Sequence, residues 1–233
     1  MAKELPTMNS PVPSFQDVVR SRHSVRGFLP TPIPQDLLEE ILQDAQWAPS
    51  NCNTQPWNVH IVSGDKLKAL SAVLVEALKS ENYTFDFSFD TGDYPEPYKK
   101  RAADQGGRYY QALGVARGDS LTRAEVVERN VRFFGAPHVA FLFMPLVGDN
   151  VRAASDVGMY AQTFLLSLAA RGYAGVPQTI LGFFAETVRQ ALGVSSDWKL
   201  LFGISFGTPD SAHAAFNYRE DRIPLQESVV WHE

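Results

Sequence analysis

Apolar residues recur at helical spacing in several separate stretches of the chain. Residues 35–48 place leucine and isoleucine on one face of a 3.6-residue period, which predicts an amphipathic helix. Ser14 precedes Asp17 by three residues, the spacing of a capping box, and predicts a short first helix. The same periodicity predicts further helices over 66–79, 98–114, 122–134, 151–172 and 185–192.

Three of these helices carry additional signals. Thr122 and Glu125 have capping-box spacing, so we expect the helix over 122–134 to begin there. Gly106 and Gly107 are a candidate break in the helix over 98–114. The helix over 151–172 is apolar on more than one face, which indicates a buried central position.

Shorter apolar runs predict strands between the helices. They cover 57–62, 139–147 and 199–206, and an alternation at 229–231 predicts an edge strand. Residues 175–181 are predicted to form a loop. Because strands are few and alternate with helices, the pattern indicates one α+β domain over 14–233, not a full doubly wound sheet.

Three segments depart from this alternation of helices and strands. Residues 1–13 contain three prolines and predict a flexible N-terminal arm. Residues 81–97 alternate aromatic with polar side chains, which fits either a surface hairpin or a lid over a pocket. Residues 208–233 have little regular pattern, and a partner subunit is one surface on which such an arm can lie.

Composition narrows the function classes. Lys plus Arg total 21 and Asp plus Glu total 26, a net charge of −5 without the clustered bases of a nucleic-acid binder. One cysteine excludes an internal disulfide, and the five histidines lack metal-ligand spacing, so we expect no metal site. No apolar run approaches the roughly 18 residues of a membrane span. We expect a soluble protein of a reducing compartment, the cytoplasm.

Several common catalytic motifs are missing. The sequence has no glycine-rich dinucleotide fingerprint, phosphate loop or nucleophile elbow. Cys52 with His60 as base is conceivable as a nucleophile, but a small thiol buried in a loop is the simpler interpretation. The sequence thus contains none of these catalytic motifs, and no acid–base pair of side chains stands out.

Three polar residues alternate near the N-terminus. Arg22, Ser24 and Arg26 point to one side of an extended segment, and the two arginines also share a face if the segment is helical. Forked guanidinium donors suit a phosphate dianion. A basic surface turn is the alternative interpretation of this spacing.

A second polar cluster lies in the loop from Pro49 to Trp57. Its hydroxyl and amide groups suit a flat heteroaromatic ligand with several hydrogen-bonding edges, although a plain turn has the same composition. Together with the arginine segment, this loop resembles the FMN-dependent nitroreductase family, in particular the branch that reduces nitroaromatics such as nitrobenzoates. The matching segments occur in family order at 22–26, 48–57, 129–137, 156–159, 175–178, 203–207 and 222–225.

The resemblance implies a nitroreductase-like α+β fold, with a central mixed sheet flanked by helices in an intertwined homodimer. Two FMN molecules would lie at the subunit interface, and the arm over 208–233 would wrap the partner. Arg22 and Arg222 would hold the FMN phosphate, Ser24 the phosphate or ribityl chain, and Arg26 the ribityl chain or the N1/O2 edge. The cofactor-binding residues it implies are Arg22, His23, Ser24, Arg26, Pro49, Ser50, Asn51, Asn53, Gln55, Pro177, Gln178, Thr179, Ile180 and Arg222.

The resemblance also implies an enzyme with two half reactions. NADPH or NADH would deliver hydride to flavin N5, and a small nitroaromatic substrate would then take two electrons in the same slot. The loop from Pro49 to Asn53 would approach the ring from the other subunit, and the backbone from Pro177 to Ile180 would face it. Alternatives on the same fold are reductive dehalogenation, heterocycle oxidation, or flavin binding without turnover.

Overall fold

A computed structural model describes residues 13–233, and a four-stranded sheet forms its centre. The strands are β1 (Asn58–Ser63), β2 (His138–Pro145), β3 (Ala174–Gln178) and β4 (Trp198–Gly207). Their order is β1-β2-β4-β3, and every neighbouring pair is antiparallel. The mixed sheet expected from the sequence is therefore wrong for these four strands. In the described residues, parallel pairing occurs as two isolated bridges, one between Ser24 and Gly175 and one between Thr84 and Phe184.

Seven α-helices accompany the sheet in the described residues. They are α1 (Phe15–Ser21), α2 (Gln35–Ala45), α3 (Gly64–Lys79), α4 (Tyr98–Ala112), α5 (Ser120–Val131), α6 (Val151–Ala170) and α7 (Ala185–Leu192). The alternation of side chains along β2 separates two apolar clusters. Phe141 and Phe143 join a cluster with α3 and α7, whereas Leu142 and Met144 join one with α2 and α6. Helices thus cover both faces of the sheet.

Local signals explain where several helices begin and end. The predicted capping box of α1 is confirmed, since the side chains of Ser14 and Asp17 each accept from the other's backbone N–H. The predicted box at Thr122 is wrong, because Asp119 caps α5 and accepts from Thr122 N at 3.0 Å. Gly106 and Gly107 do not interrupt α4. Helix α6 is buried along much of its length, as predicted.

Two predicted elements near the chain's second half differ in the structure. Residues predicted as a loop at 175–181 form β3 and a 3₁₀ turn over Thr179–Phe183. Pro177 is tolerated there because β3 is an edge strand. The alternation at 229–231 forms no strand, and Trp231 is exposed. Within residues 13–233, the segment pairs with none of the four strands.

Residues 1–12, nearly all of the predicted N-terminal arm, lie outside the described residues. Within the described range, no helix combines the length and apolar content required to cross a lipid bilayer.

A buried histidine connects β1, β2 and the proline segment before α2. His138 Nε2 accepts from Ile33 N at 2.9 Å, so the neutral ring has its proton on Nδ1, 2.5 Å from Ser63 Oγ. Burial lowers the pKa of His138 below its usual value. We expect stability to fall as pH drops below about 6.5, because the unfolded histidine binds a proton before the folded one does.

The measurement is the urea midpoint between about pH 7.5 and 5 for the wild type and His138→Gln. The variant is expected to show the shallower pH dependence. Equal slopes for the two proteins would contradict a neutral His138 in the fold.

Candidate functional site

A cavity of about 600 Å³ opens beside the segment that follows α1. The segment is extended from Arg22, and the bridge between Ser24 and Gly175 places it alongside β3. The cavity is lined by Val19, Arg20, Arg22, His23, Ser24, Arg26, Gln105, Tyr218, Arg219, Glu220 and Arg222. The structure therefore brings together the arginine segment and Arg222, which lie about two hundred residues apart in the sequence.

The cavity is strongly cationic. Glu220 is its one carboxylate, and it is engaged by Arg108, whose Nε lies 3.2 Å from Oε1, and by the Tyr218 hydroxyl. Arg22 and Arg222 form no salt bridge within the described residues. Burial lowers the pKa of Arg22, and the like charge of Arg222 lowers it further. Such uncompensated charge favours an anion in the cavity.

Arg26 lies deeper and is held by an aromatic ring. Its guanidinium carbon is 4.6 Å from the ring centroid of Tyr109, and burial lowers the pKa of Arg26. The Tyr109 hydroxyl is buried without a hydrogen-bond partner in the described residues. This cation–π support keeps the arginine in place without neutralising its charge.

His23 supplies an acceptor to the same region. Its Nδ1 lies 2.9 Å from Ser21 O, and since a carbonyl only accepts, Nδ1 carries the proton. Burial is the main cause that lowers the pKa of His23, and the charge of Arg219 contributes. The neutral ring therefore has a lone pair on Nε2, which is buried with no partner in residues 13–233.

Contacts at Gly27 tie the start of the C-terminal arm to the arginine segment. Asp210 N–H donates to Gly27 O at 2.9 Å, and a Cβ on Gly27 would lie 2.5 Å from His213 Cγ. Arg129 Nη2 donates to Arg26 O at 3.0 Å and lies 2.7 Å from His213 Nε2. Glycine at position 27 is thus required for the arm to pass close enough to deliver Arg219 and Arg222.

The loop predicted to bind a flat ligand lies elsewhere on this chain. Pro49 to Gln55 does not line the arginine cavity, and most of its side chains are exposed. Cys52, expected to be buried, is exposed as well. Cys52, Asn53 and Gln55 have positive φ values of 50°, 55° and 49°. Left-handed backbone at three non-glycine positions is costly and is typical of functional loops.

Hydrogen bonds hold this loop in its strained shape. Asn51 N–H donates to Asp156 Oδ2 at 3.1 Å, and Gln55 N–H donates to Ser50 Oγ at 2.9 Å. Gln55 Nε2 also donates to Asn53 O at 3.2 Å. The amide and hydroxyl groups are thus pre-organised on the surface of the chain.

The segment from Pro177 to Ile180 ends β3 and begins the following 3₁₀ turn. Gln178 points inward, where its Nε2 donates to Asn130 O at 2.9 Å and its Oε1 accepts from Ser205. Its side chain therefore has a structural role, and only its backbone is available to a ligand. Thr179 is exposed and Ile180 is half-buried.

The aromatic insert packs against this turn and is not a hairpin. Thr84 N–H donates to Phe183 O at 2.7 Å, and the rings of Phe85 and Phe89 lie 4.8 and 5.6 Å from that of Phe183. A cavity of about 270 Å³ is lined by Phe87, Phe89, Thr179 and Phe183, among others. The insert therefore shapes an aromatic pocket next to the turn.

Sequence reasoning missed six residues of the arginine cavity, namely Val19, Arg20, Gln105, Tyr218, Arg219 and Glu220. The sequence signal for Arg219 was its position three residues before Arg222 in the same C-terminal arm. Gln105 had none, because its proximity results only from the packing of α4.

With this geometry in view, the chain belongs to the Nitroreductase family, whose profile matches residues 19–208. It is 42% identical over 212 residues to nitroreductase NfnB of Mycolicibacterium smegmatis, covering 91% of this chain and 90% of that protein. It is 34% identical over 214 residues to 4-nitrobenzoate reductase of Pseudomonas putida, covering 91% and 92%.

Solved structures of related proteins have the same fold. The FMN-dependent nitroreductase NfnB from Mycobacterium smegmatis in complex with NADPH superimposes with a TM-score of 0.90 at 40% identity, covering 94% of this chain and 97% of that one. The FMN- and NADPH-dependent NfnB from Sphingopyxis superimposes with a TM-score of 0.89 at 30% identity, covering 94% and 99%. The predicted nitroreductase-like α+β fold is confirmed.

Proposed function

We propose that this protein is an FMN-dependent oxidoreductase that uses NADPH or NADH to reduce small nitroaromatic compounds. One observation carries the proposal: the cavity beside β3 holds arginines that form no salt bridge within the described residues. A phosphate monoester dianion supplies the missing negative charge. The relatives named as nitroreductase and nitrobenzoate reductase support the reaction class.

The residues present fit FMN. Arg22 and Arg222 would bind the phosphate, Ser24 the phosphate or ribityl chain, and Arg26 the ribityl chain or the N1/O2 edge of the ring. The lone pair on His23 Nε2 would accept from a ribityl hydroxyl, which would offset the cost of burying it without a donor.

The flavin ring would lie over the backbone from Pro177 to Ile180, beside the aromatic insert. When bound, FMN supplies the two-electron chemistry between the nicotinamide and the nitro group. The protein's residues bind and orient the two substrates and exclude water, and the charge of Arg26 would stabilise negative charge at the ring edge.

We propose that residues 14–233 form one domain that works as a homodimer in the cytoplasm. Trp47 is 88% exposed next to the strained loop from Pro49 to Gln55, and Trp231 is 78% exposed in the C-terminal arm. Large apolar side chains at such positions are typical of an interface. The loop's Pro49, Ser50, Asn51, Asn53 and Gln55 would approach the flavin of the second subunit. Light scattering that gives a 25.9 kDa species with FMN bound would contradict the dimer.

The aromatic pocket predicts a substrate effect. Phe89→Ala removes a ring that lines the pocket and packs on Phe183. We expect KM for 4-nitrobenzoate to rise about 2- to 12-fold, with KM for NADPH much less affected. Tyr94→Ala, in the same insert but outside the pocket, is the control. Equal increases of KM for both substrates in Phe89→Ala would indicate a structural role.

Steady-state kinetics test the proposed reaction. The purified protein is expected to carry FMN and to give parallel double-reciprocal plots for NADPH and 4-nitrobenzoate, because one slot above the flavin serves both. Intersecting lines would indicate a ternary complex. Loss of the visible flavin absorbance on adding NADPH, without turnover of any nitroaromatic, would favour dehalogenation or heterocycle oxidation.

A further inference from the structure

A second cavity, of about 650 Å³, lies between α4, the turn that follows it and α5. Its wall includes Gly107, Arg108, Tyr110, Gln111, Arg117 and Arg123. None of the residues assigned above to FMN lines it. The FMN assignment therefore does not account for this cavity.

The charges in this cavity are only partly compensated. Arg108 is paired with Glu220, and Asp104, which also lines the cavity, is 2.6 Å from Lys100 Nζ. Arg117 and Arg123 form no salt bridge in the part of the chain that the structure describes. Two arginines are thus available to an anionic ligand.

One of these arginines is already arranged to stack. The Arg123 guanidinium carbon lies 4.2 Å from the ring centroid of Tyr110. A guanidinium plane held on a tyrosine can accept a further flat group on its outer face. A phosphorylated nucleoside combines the flat base and the anion that such a cavity favours.

Gly107 leaves open space on the α4 wall of the cavity. It lies inside α4, where glycine is less favourable than alanine, and a Cβ there would meet nothing within 4 Å. The wall of the cavity is therefore open at this position, so that a ligand can lie directly against the helix.

The second cavity adjoins the first. Arg108 lines the second cavity and its partner Glu220 lines the first, so one ion pair forms part of both walls. A dinucleotide whose nicotinamide enters the proposed active slot needs a place for its other half. The neighbouring cavity is such a place.

We propose that this cavity binds the adenosine 2′-phosphate end of NADPH. Arg123, supported by Tyr110, stacks on the adenine, and Arg117 pairs with the 2′-phosphate. The inference rests on the proposed function, and it assigns the preference for NADPH over NADH to these residues.

Calorimetric titration of the FMN-saturated protein with adenosine 2′,5′-bisphosphate tests the assignment. Arg117→Ala is expected to weaken binding by about tenfold or more, and Arg117→Ala with Arg123→Ala to weaken it further. The ratio of kcat/KM for NADPH to that for NADH should fall in parallel. Lys99→Ala, which removes a charge from α4 outside the cavity, is the matched control and should bind as the wild type does.

A second variant tests whether binding needs the open volume of the cavity. Gly107→Leu fills the cavity and should abolish binding of the bisphosphate, whereas Gly106→Leu, outside the cavity on the same helix, should not. No binding to the wild type, or unchanged binding in the arginine variants, would overturn the proposal. Dissociation of the dimer by Gly107→Leu with bisphosphate binding intact would instead assign the cavity to a second copy of the chain.

The two proposals can fail separately. Rapid nitroaromatic reduction with an unchanged NADPH-to-NADH ratio in the double variant would overturn the adenosine site and leave the proposed function. Binding of the bisphosphate that depends on Arg117, in a protein that reduces no nitroaromatic, would overturn the proposed function and leave the adenosine site.

Discussion

Replacing Asp86 with alanine is expected to lower the free energy of unfolding by about 3 kcal/mol. Asp86 lies in the aromatic insert, where its Oδ2 accepts from Arg189 and from Leu200 N at 2.8 Å. The side chains of Asp86 and Arg189 are only 7% and 8% exposed. Removing the carboxylate therefore leaves a buried guanidinium with a weaker set of partners and an unpaired backbone N–H.

Urea unfolding followed by far-UV circular dichroism measures the loss. Glu186→Ala is the matched control, because Glu186 is the other carboxylate on Arg189 but is 47% exposed and screened by solvent. Its effect should be much smaller. Similar losses for Asp86→Ala and Glu186→Ala would show that burial does not set the strength of the Asp86 contact.

Replacing Arg22 or Arg222 with alanine is expected to weaken FMN binding by about 1.5–3 kcal/mol each, or roughly 10- to 150-fold. Each substitution would remove the charge-assisted hydrogen bonds that a guanidinium donates to the phosphate. In the FMN-free protein, the same substitutions are expected to raise the thermal midpoint. The pKa of Arg22 is lowered by burial and by the charge of Arg222, so removing either arginine relieves repulsion in the FMN-free protein.

Titration of the FMN-free protein and its thermal midpoint provide the two readouts. Arg152→Ala, an exposed arginine on α6, is the control for loss of one positive charge. Unchanged FMN affinity in both variants would place the phosphate elsewhere. Weaker FMN affinity together with a lower thermal midpoint of the FMN-free protein would mean that the arginines stabilise the fold and are not a preformed anion site.

The Asp86 contact also changes how the aromatic insert is understood. The sequence left open a hairpin or a lid, since alternating aromatic residues suit both. The structure shows a segment anchored at Thr84 to the turn before α7 and to α7 itself, and at Asp86 to β4. An insert held at these points can shape a pocket with Phe87 and Phe89 without moving as a whole.

Local patterns in the sequence were sufficient for the helices, three of the four strands and the arginine segment. Helical periodicity, the Ser14 cap and the alternation of Arg22, Ser24 and Arg26 depend on residues only a few positions apart. Their physical causes act within one turn or one strand. These features can therefore be predicted without knowing the fold.

Other features were decided only by tertiary structure, because their partners are distant in the sequence. Residues 174–178 form a strand since β4 offers its edge, although glycine and proline argue for a loop. Gln178 points into the interior since Asn130 and Ser205 meet it there. Arg222 reaches Arg22 because Gly27 lets the arm pass, and no periodicity along the chain encodes that approach.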